Sequence, residues 1–234
     1  MNELLPLINF FKTLPGAISV TEAIALYRTI QTCLDTKRKE REHFIDFGSY
    51  AGKSSLIAIT ALSCSYRSGM FIMIEPAYDP IGPYRMTGPS FAPDNYLDII
   101  RKRVCSFSPP LIVPCLCGST SERAVKEFLL GLEISYAFID SGEHSEESIA
   151  IEVDYLKNTL LPGGLIVFHD FGNQYKAPAE AAAKLVASGK FEAIHIDWEP
   201  IFAFVDENEL EEGNDSWHWT DHSHPNFIGA VRKL

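Results

Sequence analysis

The strongest structural signal in the sequence is a loop that joins a short apolar run to a helical pattern. The run ends at Asp46, the loop contains Gly48 and Gly52, and the helical pattern begins at Lys53. Free backbone N–H groups at a helix N-terminus face polar or anionic ligands, and a glycine without a Cβ atom lets a ligand approach the backbone. The loop therefore predicts a strand-turn-helix unit with a ligand site, as found in α/β folds.

Several known ligand-binding loops contain glycines, and their spacing distinguishes them. A P-loop has four residues between its glycines, whereas three separate Gly48 from Gly52, so Lys53-Ser54 is a misleading match. The dinucleotide-binding pattern requires a glycine where this chain has Tyr50. The pattern that fits is Asp-x-Gly-x-x-x-Gly-x-Ser. A turn with helix-capping serines and no ligand is the alternative.

Length and composition point to one domain over residues 1–234. Hydrophobic residues make up 46% of the chain and charged residues 22%, which suffices for a well-buried core. The net charge of −11 repels polyphosphates, so we expect no nucleic-acid partner. The five cysteines have no metal-finger spacing. Since no apolar stretch is long enough to span a membrane and no charged leader is present, we expect a cytoplasmic protein without a membrane partner.

The rest of the chain alternates between apolar runs and helical patterns. Residues 1–42 predict an N-terminal helical cover. Residues 76–95 are rich in proline and glycine and too long for an ordinary connection, which indicates a lid, and residues 208–234 read as a C-terminal tail. Further strands are predicted at 70–75, 110–117, 136–140 and 165–170, with a closing antiparallel pair at 191–197 and 201–205.

A polar or acidic side chain stands at or just after the end of each predicted parallel strand. In open α/β sheets the ligand crevice lies at the carboxyl ends of the strands, so we expect these side chains to converge there. They are Asp46, Glu75, Ser119, Asp140, His169 and Asp170.

The order of these motifs resembles a known enzyme family. The motifs are Gly-Ser-Tyr-x-Gly-Lys-Ser at 48–54, Ile-Glu-Pro at 74–76, Phe-Ile-Asp with a following His-Ser at 138–145, and Leu-Pro-Gly-Gly-Leu-Ile-Val-Phe-His-Asp at 161–170. Over residues 16–172 the chain resembles class I S-adenosylmethionine-dependent methyltransferases of the cephalosporin-hydroxylase-like and macrocin-O-methyltransferase-like subgroup. The resemblance implies a Rossmann-like, seven-stranded, mostly parallel α/β sheet with its last strand antiparallel and helices on both faces.

The resemblance also implies which residues bind the cofactor, S-adenosyl-L-methionine. Glu75 would accept hydrogen bonds from the ribose hydroxyls. Ser119 would lie near the adenine, where the family commonly has Gly-Asp. The implied cofactor-binding residues are Asp46, Gly48, Ser49, Gly52, Ser54, Glu75 and Ser119.

On the acceptor side, the resemblance implies that the catalytic residues are Asp140, His144, His169 and Asp170. A histidine is suited to remove a proton from a hydroxyl near neutral pH. Alternatively, Asp140 and Asp170 would hold Mg²⁺ against a substrate oxygen and lower its pKa, although a third oxygen ligand is not obvious. Both interpretations remain open at this stage.

The expected function is therefore methyl transfer from S-adenosylmethionine to an oxygen of a small molecule. The two tryptophans in the tail, Trp217 and Trp219, would cover that molecule or a second copy in a homo-oligomer. Two other hypotheses remain: a P-loop-like nucleotide-binding enzyme that uses Lys53 and Ser54, and a non-catalytic binding protein that retains the methyltransferase fold.

Overall fold

The structure is a computed structural model that describes residues 5–11, 18–34, 42–50, 52–65, 68–76, 111–116, 118–140, 145–171, 175–208 and 228–234. Three predictions fall on other residues. The lid beyond residue 76, His144, and the tail between residues 209 and 227 all lie outside the described part of the chain.

Within those ranges the chain alternates between strands and helices. The strands are β1 Glu42–Phe47, β2 Gly69–Ile74, β3 Leu111–Ile112, β4 Cys115–Leu116, β5 Ile134–Ile139, β6 Leu160–His169, β7 Phe191–Ile194 and β8 Ile228–Lys233. The helices are α1 Leu5–Phe11, α2 Val20–Cys33, α3 Lys53–Cys64, α4 Arg123–Leu129, α5 Glu146–Thr159, α6 Ala177–Ala187 and α7 Glu199–Glu207. None of the described helices has the length and apolar character needed to cross a membrane.

The strands form one mixed sheet in the order β3-β2-β1-β5-β6-β8-β7, and β4 also pairs with β2. Because β3 and β4 share β2 as their neighbour, the eight strands occupy seven positions. The pairs from β3 to β6 are parallel, whereas β8 is antiparallel to both β6 and β7. This order confirms the predicted seven-stranded sheet whose last strand is antiparallel.

Helices cover both faces of the sheet. Helices α2 and α3 pack on one face, against a core that includes Phe44, Phe71 and Phe138. Helices α4, α5 and α6 pack on the other face, where Phe47 and Phe168 are fully buried. Burying each of these aromatic side chains stabilises the fold by about 1.5–3 kcal/mol. The strands are thus enclosed on both sides, as their continuous apolar runs predict.

The register of the parallel strands brings their polar ends to one edge. Asp46 of β1 pairs with Phe138 of β5, which pairs with Val167 of β6. Since side chains alternate between the faces with a period of two, these three positions share the face covered by α2 and α3. Two residues further along their strands lie Gly48, Asp140 and His169, and Glu75 lies two residues after Met73, the β2 partner of Asp46.

The end of the chain differs from the prediction in two ways. The segment 201–205, predicted as a strand, lies in helix α7, because Pro200 stands in the first turn and Ile201, Phe204 and Val205 are buried at helical spacing. The antiparallel partner of β7 is instead β8, which lies inside the segment predicted as a tail.

The predicted strand at 110–117 is also interrupted. It forms two short segments, β3 and β4, on either side of Pro114. Proline has no backbone N–H to donate to a neighbouring strand, so it interrupts the hydrogen-bond ladder at an edge. Pro114 still accepts a hydrogen bond through its carbonyl oxygen, 2.9 Å from the backbone nitrogen of Met73.

Candidate active site at the carboxyl edge of the sheet

The glycine loop folds over the end of β2. The backbone nitrogens of Gly48 and Ser49 donate to the carbonyl oxygen of Ile74 at 2.9 and 3.3 Å, and that of Gly52 donates to the carbonyl of Ser49 at 2.7 Å. Gly48 and Gly52 have φ angles of 81° and 80°. Residues with a Cβ atom adopt this left-handed conformation only at a cost, so the turn explains both glycines.

Asp46 links the end of β1 to the start of α3. Its carboxylate is fully buried, and its Oδ2 atom accepts hydrogen bonds from the hydroxyls of Ser54, at 2.8 Å, and Ser55. Its Oδ1 atom has no hydrogen-bond partner among the described residues. Burial raises the pKa of Asp46 to about 7; the two serines lower it, and the charges of Asp140 and Glu75 raise it further.

This arrangement refines the role of Ser54, which the sequence assigned to the cofactor. Its hydroxyl donates to Asp46, so Ser54 supports the carboxylate, and its contact with a cofactor stays a prediction. Ser55 makes the same contact and was missed, although it directly follows Ser54 in the motif. The buried Ser49 takes part through the loop backbone, and its hydroxyl lies 3.5 Å from the carbonyl oxygen of Ile74.

Glu75 lies directly after β2 and forms a hydrogen bond with the glycine loop. Its side chain is buried, and its Oε2 atom accepts a hydrogen bond from the backbone nitrogen of Tyr50 at 2.8 Å. Tyr50 itself has a positive φ of 41°, which is uncommon outside glycine. We refer to Asp46, Gly48, Gly52 and Glu75 as the loop region.

Two carboxylates and an imidazole meet at the ends of β5 and β6. The Nδ1 atom of His169 lies 3.1 Å from Oδ1 of Asp140 and 3.3 Å from Oδ2 of Asp170. The side chain of His169 is 5% exposed, while those of Asp140 and Asp170 are 19% and 20% exposed. Asp170 has a φ of 51°, so the chain turns sharply directly after β6. The two acids therefore reach the solvent-facing crevice, and the histidine lies behind them.

A third carboxylate faces the opposite edge of the same imidazole. Oε1 of Glu22, carried by α2, lies 3.2 Å from Nε2 of His169, and both side chains are 5% exposed. The contact lacks the alignment of a hydrogen bond, so we describe it as an ion pair. We refer to Glu22, Asp140, His169 and Asp170 as the histidine cluster.

The pKa of His169 reflects opposing effects. Burial lowers the pKa of the imidazole, but the charges of Asp140 and Glu22, with hydrogen bonds to Asp140 and Asp170, outweigh burial and hold this pKa well above its usual range. His169 is therefore a buried cation at neutral pH.

That cation bears directly on the predicted magnesium site. Asp140, His169 and Asp170 each offer one ligand atom, and these atoms lie within 4.8 Å of one another. However, Mg²⁺ prefers oxygen ligands, and the third group of this set is an imidazole. The donor set therefore does not support Mg²⁺ at Asp140 and Asp170.

Ser119 follows β4 at the same edge of the sheet. Its backbone nitrogen donates to Oε1 of Glu122 at 2.9 Å, and its hydroxyl lies 2.6 Å from that of Ser121. These contacts form the turn that leads into α4. The predicted contact between Ser119 and an adenine stays a prediction.

The structure thus brings together seven of the predicted site positions, in two neighbouring groups. Glu22 was missed because it lies more than a hundred residues from the other members of its cluster. The sequence did carry a signal for its helix position, since Ser19-Val20-Thr21-Glu22 has the spacing of a capping box. The seven positions are Asp46, Gly48, Gly52, Glu75, Asp140, His169 and Asp170.

Comparisons with known proteins bear on the fold. No protein-family model matches the chain, and no curated protein matches it significantly. Among solved structures, the chain is similar to CalS11, a TDP-rhamnose 3'-O-methyltransferase of calicheamicin biosynthesis, with 13% identity and a TM-score of 0.53 over 90% of this chain and 76% of that chain. It is similar to the O-methyltransferase NovP, with 12% identity and a TM-score of 0.54 over 76% of each chain.

A third similar structure is the SAH-bound methyltransferase PaMTH1 from Podospora anserina, with 11% identity and a TM-score of 0.52 over 99% of this chain and 87% of that chain. Identities this low establish the fold alone. The chain has the Rossmann-like methyltransferase fold.

Proposed function

We propose that the chain is an S-adenosyl-L-methionine-dependent methyltransferase that acts on an oxygen atom of a small molecule. The observation that carries this proposal is Asp46, a fully buried carboxylate whose Oδ1 atom has no partner among the described residues. Leaving a buried polar atom unsatisfied costs about 1–3 kcal/mol, so such an atom beside a ligand-binding loop calls for a ligand group that completes it.

The charge of the site supports this choice of ligand. Asp46, Glu75, Asp140 and Asp170 all lie at the carboxyl edge of the sheet, where the buried basic side chains among the described residues are His169 and Lys53, the first residue of α3. S-adenosylmethionine carries a sulfonium and an ammonium group beside one carboxylate, and an acidic crevice favours its net positive charge. A triphosphate would be repelled by the same edge.

The loop region fits the methyl donor, S-adenosylmethionine. Gly48 and Gly52 allow close approach to the backbone, Asp46 offers an acceptor oxygen, and Glu75 stands at the strand end where a carboxylate can hold ribose hydroxyls. When bound, the donor supplies an electrophilic methyl group, and the task of the protein is to position the acceptor and accept its proton.

The histidine cluster fits the methyl-acceptor side of the site, but the group that accepts the proton is not the histidine that the sequence suggested. Both ring nitrogens of His169 face carboxylates, and its side chain is almost fully buried, so it does not present a free nitrogen to a substrate. Asp140 and Asp170 are more exposed and face the crevice. We therefore assign proton acceptance to one of these two carboxylates, with His169 as their anchor.

The nucleotide hypothesis is weaker on the same geometry. A P-loop needs a hydroxyl free to bind the metal, whereas the Ser54 hydroxyl donates to Asp46. The backbone nitrogen of Tyr50, which would face a phosphate, donates to the carboxylate of Glu75. The hydroxyl of Ser54 and the backbone nitrogen of Tyr50 are thus already bonded to carboxylates of the protein itself.

Calorimetry tests the proposal. S-adenosylmethionine and its demethylated product, S-adenosylhomocysteine, are expected to bind saturably, and ATP with Mg²⁺ is not. Glu75→Gln is expected to weaken binding of the product about 10- to 100-fold, since hydrogen bonds to charged groups contribute about 1.5–3 kcal/mol. The matched control Glu127→Gln removes an exposed carboxylate and should leave the affinity unchanged. Saturable binding of ATP in place of both adenosyl compounds would refute the proposal.

A further inference from the structure

Glu22 uses its two carboxylate oxygens for two different purposes. Oε2 accepts a hydrogen bond from the backbone nitrogen of Ser19 at 2.8 Å, and the hydroxyl of Ser19 accepts one from the backbone nitrogen of Glu22 at 3.1 Å. These two bonds form the capping box at the start of α2. Oε1 faces the imidazole of His169 at 3.2 Å.

The capping box alone does not account for the burial of Glu22. A capping box uses only one carboxylate oxygen, so it does not require the other oxygen to be buried. Here the whole side chain is 5% exposed. A buried carboxylate is costly unless a counter-charge lies beside it, and the described counter-charge is His169.

The positions of the three acids favour one orientation of the imidazole ring. Nδ1 faces Asp140 and Asp170, and Nε2 faces Glu22. A half-turn of the ring would place carbon atoms where the nitrogens now stand and lose the contacts on both edges. The carboxylate on α2 therefore opposes the two carboxylates at the strand ends and prevents the ring from turning.

We propose that Glu22 is a positioning residue of this site: it fixes the ring orientation of His169 and, through His169, the places of Asp140 and Asp170. Helix α2 is then a part of the site, beyond the role of a cover for the sheet. The catalytic consequence rests on the proposed methyltransferase function, whereas the coupling between Glu22 and His169 does not.

A double-mutant cycle for stability tests the coupling without any assay of function. The full-length chain, Glu22→Gln, His169→Gln and the double variant are unfolded in denaturant. Each variant changes the folding equilibrium constant by some factor relative to the wild type. If the two side chains act together, the factor for the double variant differs at least about fivefold from the product of the factors for the two single variants. Additive effects, within about twofold, would overturn the proposal.

The control Ser19→Ala separates positioning from helix capping. It removes one bond of the capping box but keeps the Glu22 carboxylate beside His169. Combined with His169→Gln, Ser19→Ala should give additive effects. If it couples to His169 as strongly as Glu22→Gln does, the link is a property of the helix start and the proposal is wrong.

Kinetics test the consequence for the reaction. Glu22→Gln is expected to lower kcat for methyl transfer about 10- to 100-fold, because misplaced reacting groups cost rate, while binding of S-adenosylhomocysteine changes less than about twofold. An unchanged kcat together with strong coupling in the cycle would overturn the catalytic part. Absence of adenosyl-compound binding in every variant would instead contradict the proposed function and leave the cycle to decide the coupling.

Glu22→Gln alone could prevent folding, and the cycle then still gives an answer. If His169 is the reason, adding His169→Gln should restore a folded chain at least in part, because the imidazole edge that faced Glu22 is replaced by a neutral amide, while Asp140 and Asp170, which lose their counter-charge, are partly exposed to water. A double variant that stays unfolded would overturn the proposal.

Discussion

The loop region and the histidine cluster lie side by side at one edge of the sheet, yet they are built in different ways. The loop region is mostly local: Asp46, Gly48 and Gly52 lie within seven residues, backbone geometry sets the shape of the loop, and Glu75 joins it from the neighbouring strand through one hydrogen bond. The histidine cluster joins Glu22, Asp140 and His169-Asp170 from three separate segments through charge. A site of the first kind can be predicted from the spacing of residues in the sequence, whereas a site of the second kind can be recognised only once the fold is known.

This contrast predicts that changes in the histidine cluster cost more stability than changes in the loop region. His169→Phe leaves three carboxylates without their buried counter-charge. Removing one partner of a buried ion pair is expected to cost about 3–5 kcal/mol in the free energy of unfolding, measured in denaturant at pH 7.

The exposed ion pair Arg123–Glu127 provides the control. Arg123→Met breaks a pair in which both side chains are largely solvated, so it should cost less than about 1 kcal/mol. If His169→Phe costs no more than Arg123→Met, the cluster is not held by charge.

In the loop region, we expect Gly52→Ala to cost less stability than His169→Phe but to have a larger effect on ligand binding. An alanine at a φ of 80° costs about 1–2 kcal/mol, and its Cβ atom narrows the approach to the backbone, so affinity for S-adenosylhomocysteine should fall at least about tenfold.

Gly189 offers a matched position, with a φ of 71° and no atom within 4 Å of an added Cβ. Gly189→Ala should show a similar loss of stability with unchanged affinity. Equal losses of affinity in both variants would mean that the loop geometry is unrelated to binding.

The smallest expected effect is the pH dependence of stability that arises from Asp46. Its pKa is raised from 3.8 to about 7 on folding, so the folded chain holds a proton that the unfolded chain releases. The stabilisation that this bound proton gives to the folded chain is complete below about pH 4 and is lost as pH rises through 7. Between pH 6 and 7 the free energy of unfolding should fall by about 1 kcal/mol through this group.

Asp46→Asn removes the titration while keeping the shape of the side chain. The stability of this variant should therefore fall less steeply with pH than that of the wild type over the same range, in denaturant series at several pH values. The described groups that interact with Asp46 are Ser54, Ser55, Tyr136, Asp140 and Glu75, and they are unchanged in the variant. Parallel pH dependences in the two proteins would show that Asp46 is charged in the folded state.

The same contrast explains which features the sequence could predict. The polar residues at the ends of the strands and the strand-turn-helix at Asp46 follow from short-range patterns and were found. The link between Glu22 and His169 was not, since no local pattern connects two residues so far apart. Likewise, β8 pairs with β7 across more than thirty residues, and the apolar residues of α7 were more easily mistaken for its partner.

A crystal structure of the chain with S-adenosylhomocysteine would decide whether the loop region is the donor site. We predict that the ligand lies in the crevice at the carboxyl edge, with its methionine part beside Asp46, Gly48 and Gly52 and its ribose hydroxyls within hydrogen-bond distance of Glu75. A ligand bound away from this edge, or one that leaves Asp46 Oδ1 and Glu75 without a contact, would contradict this prediction.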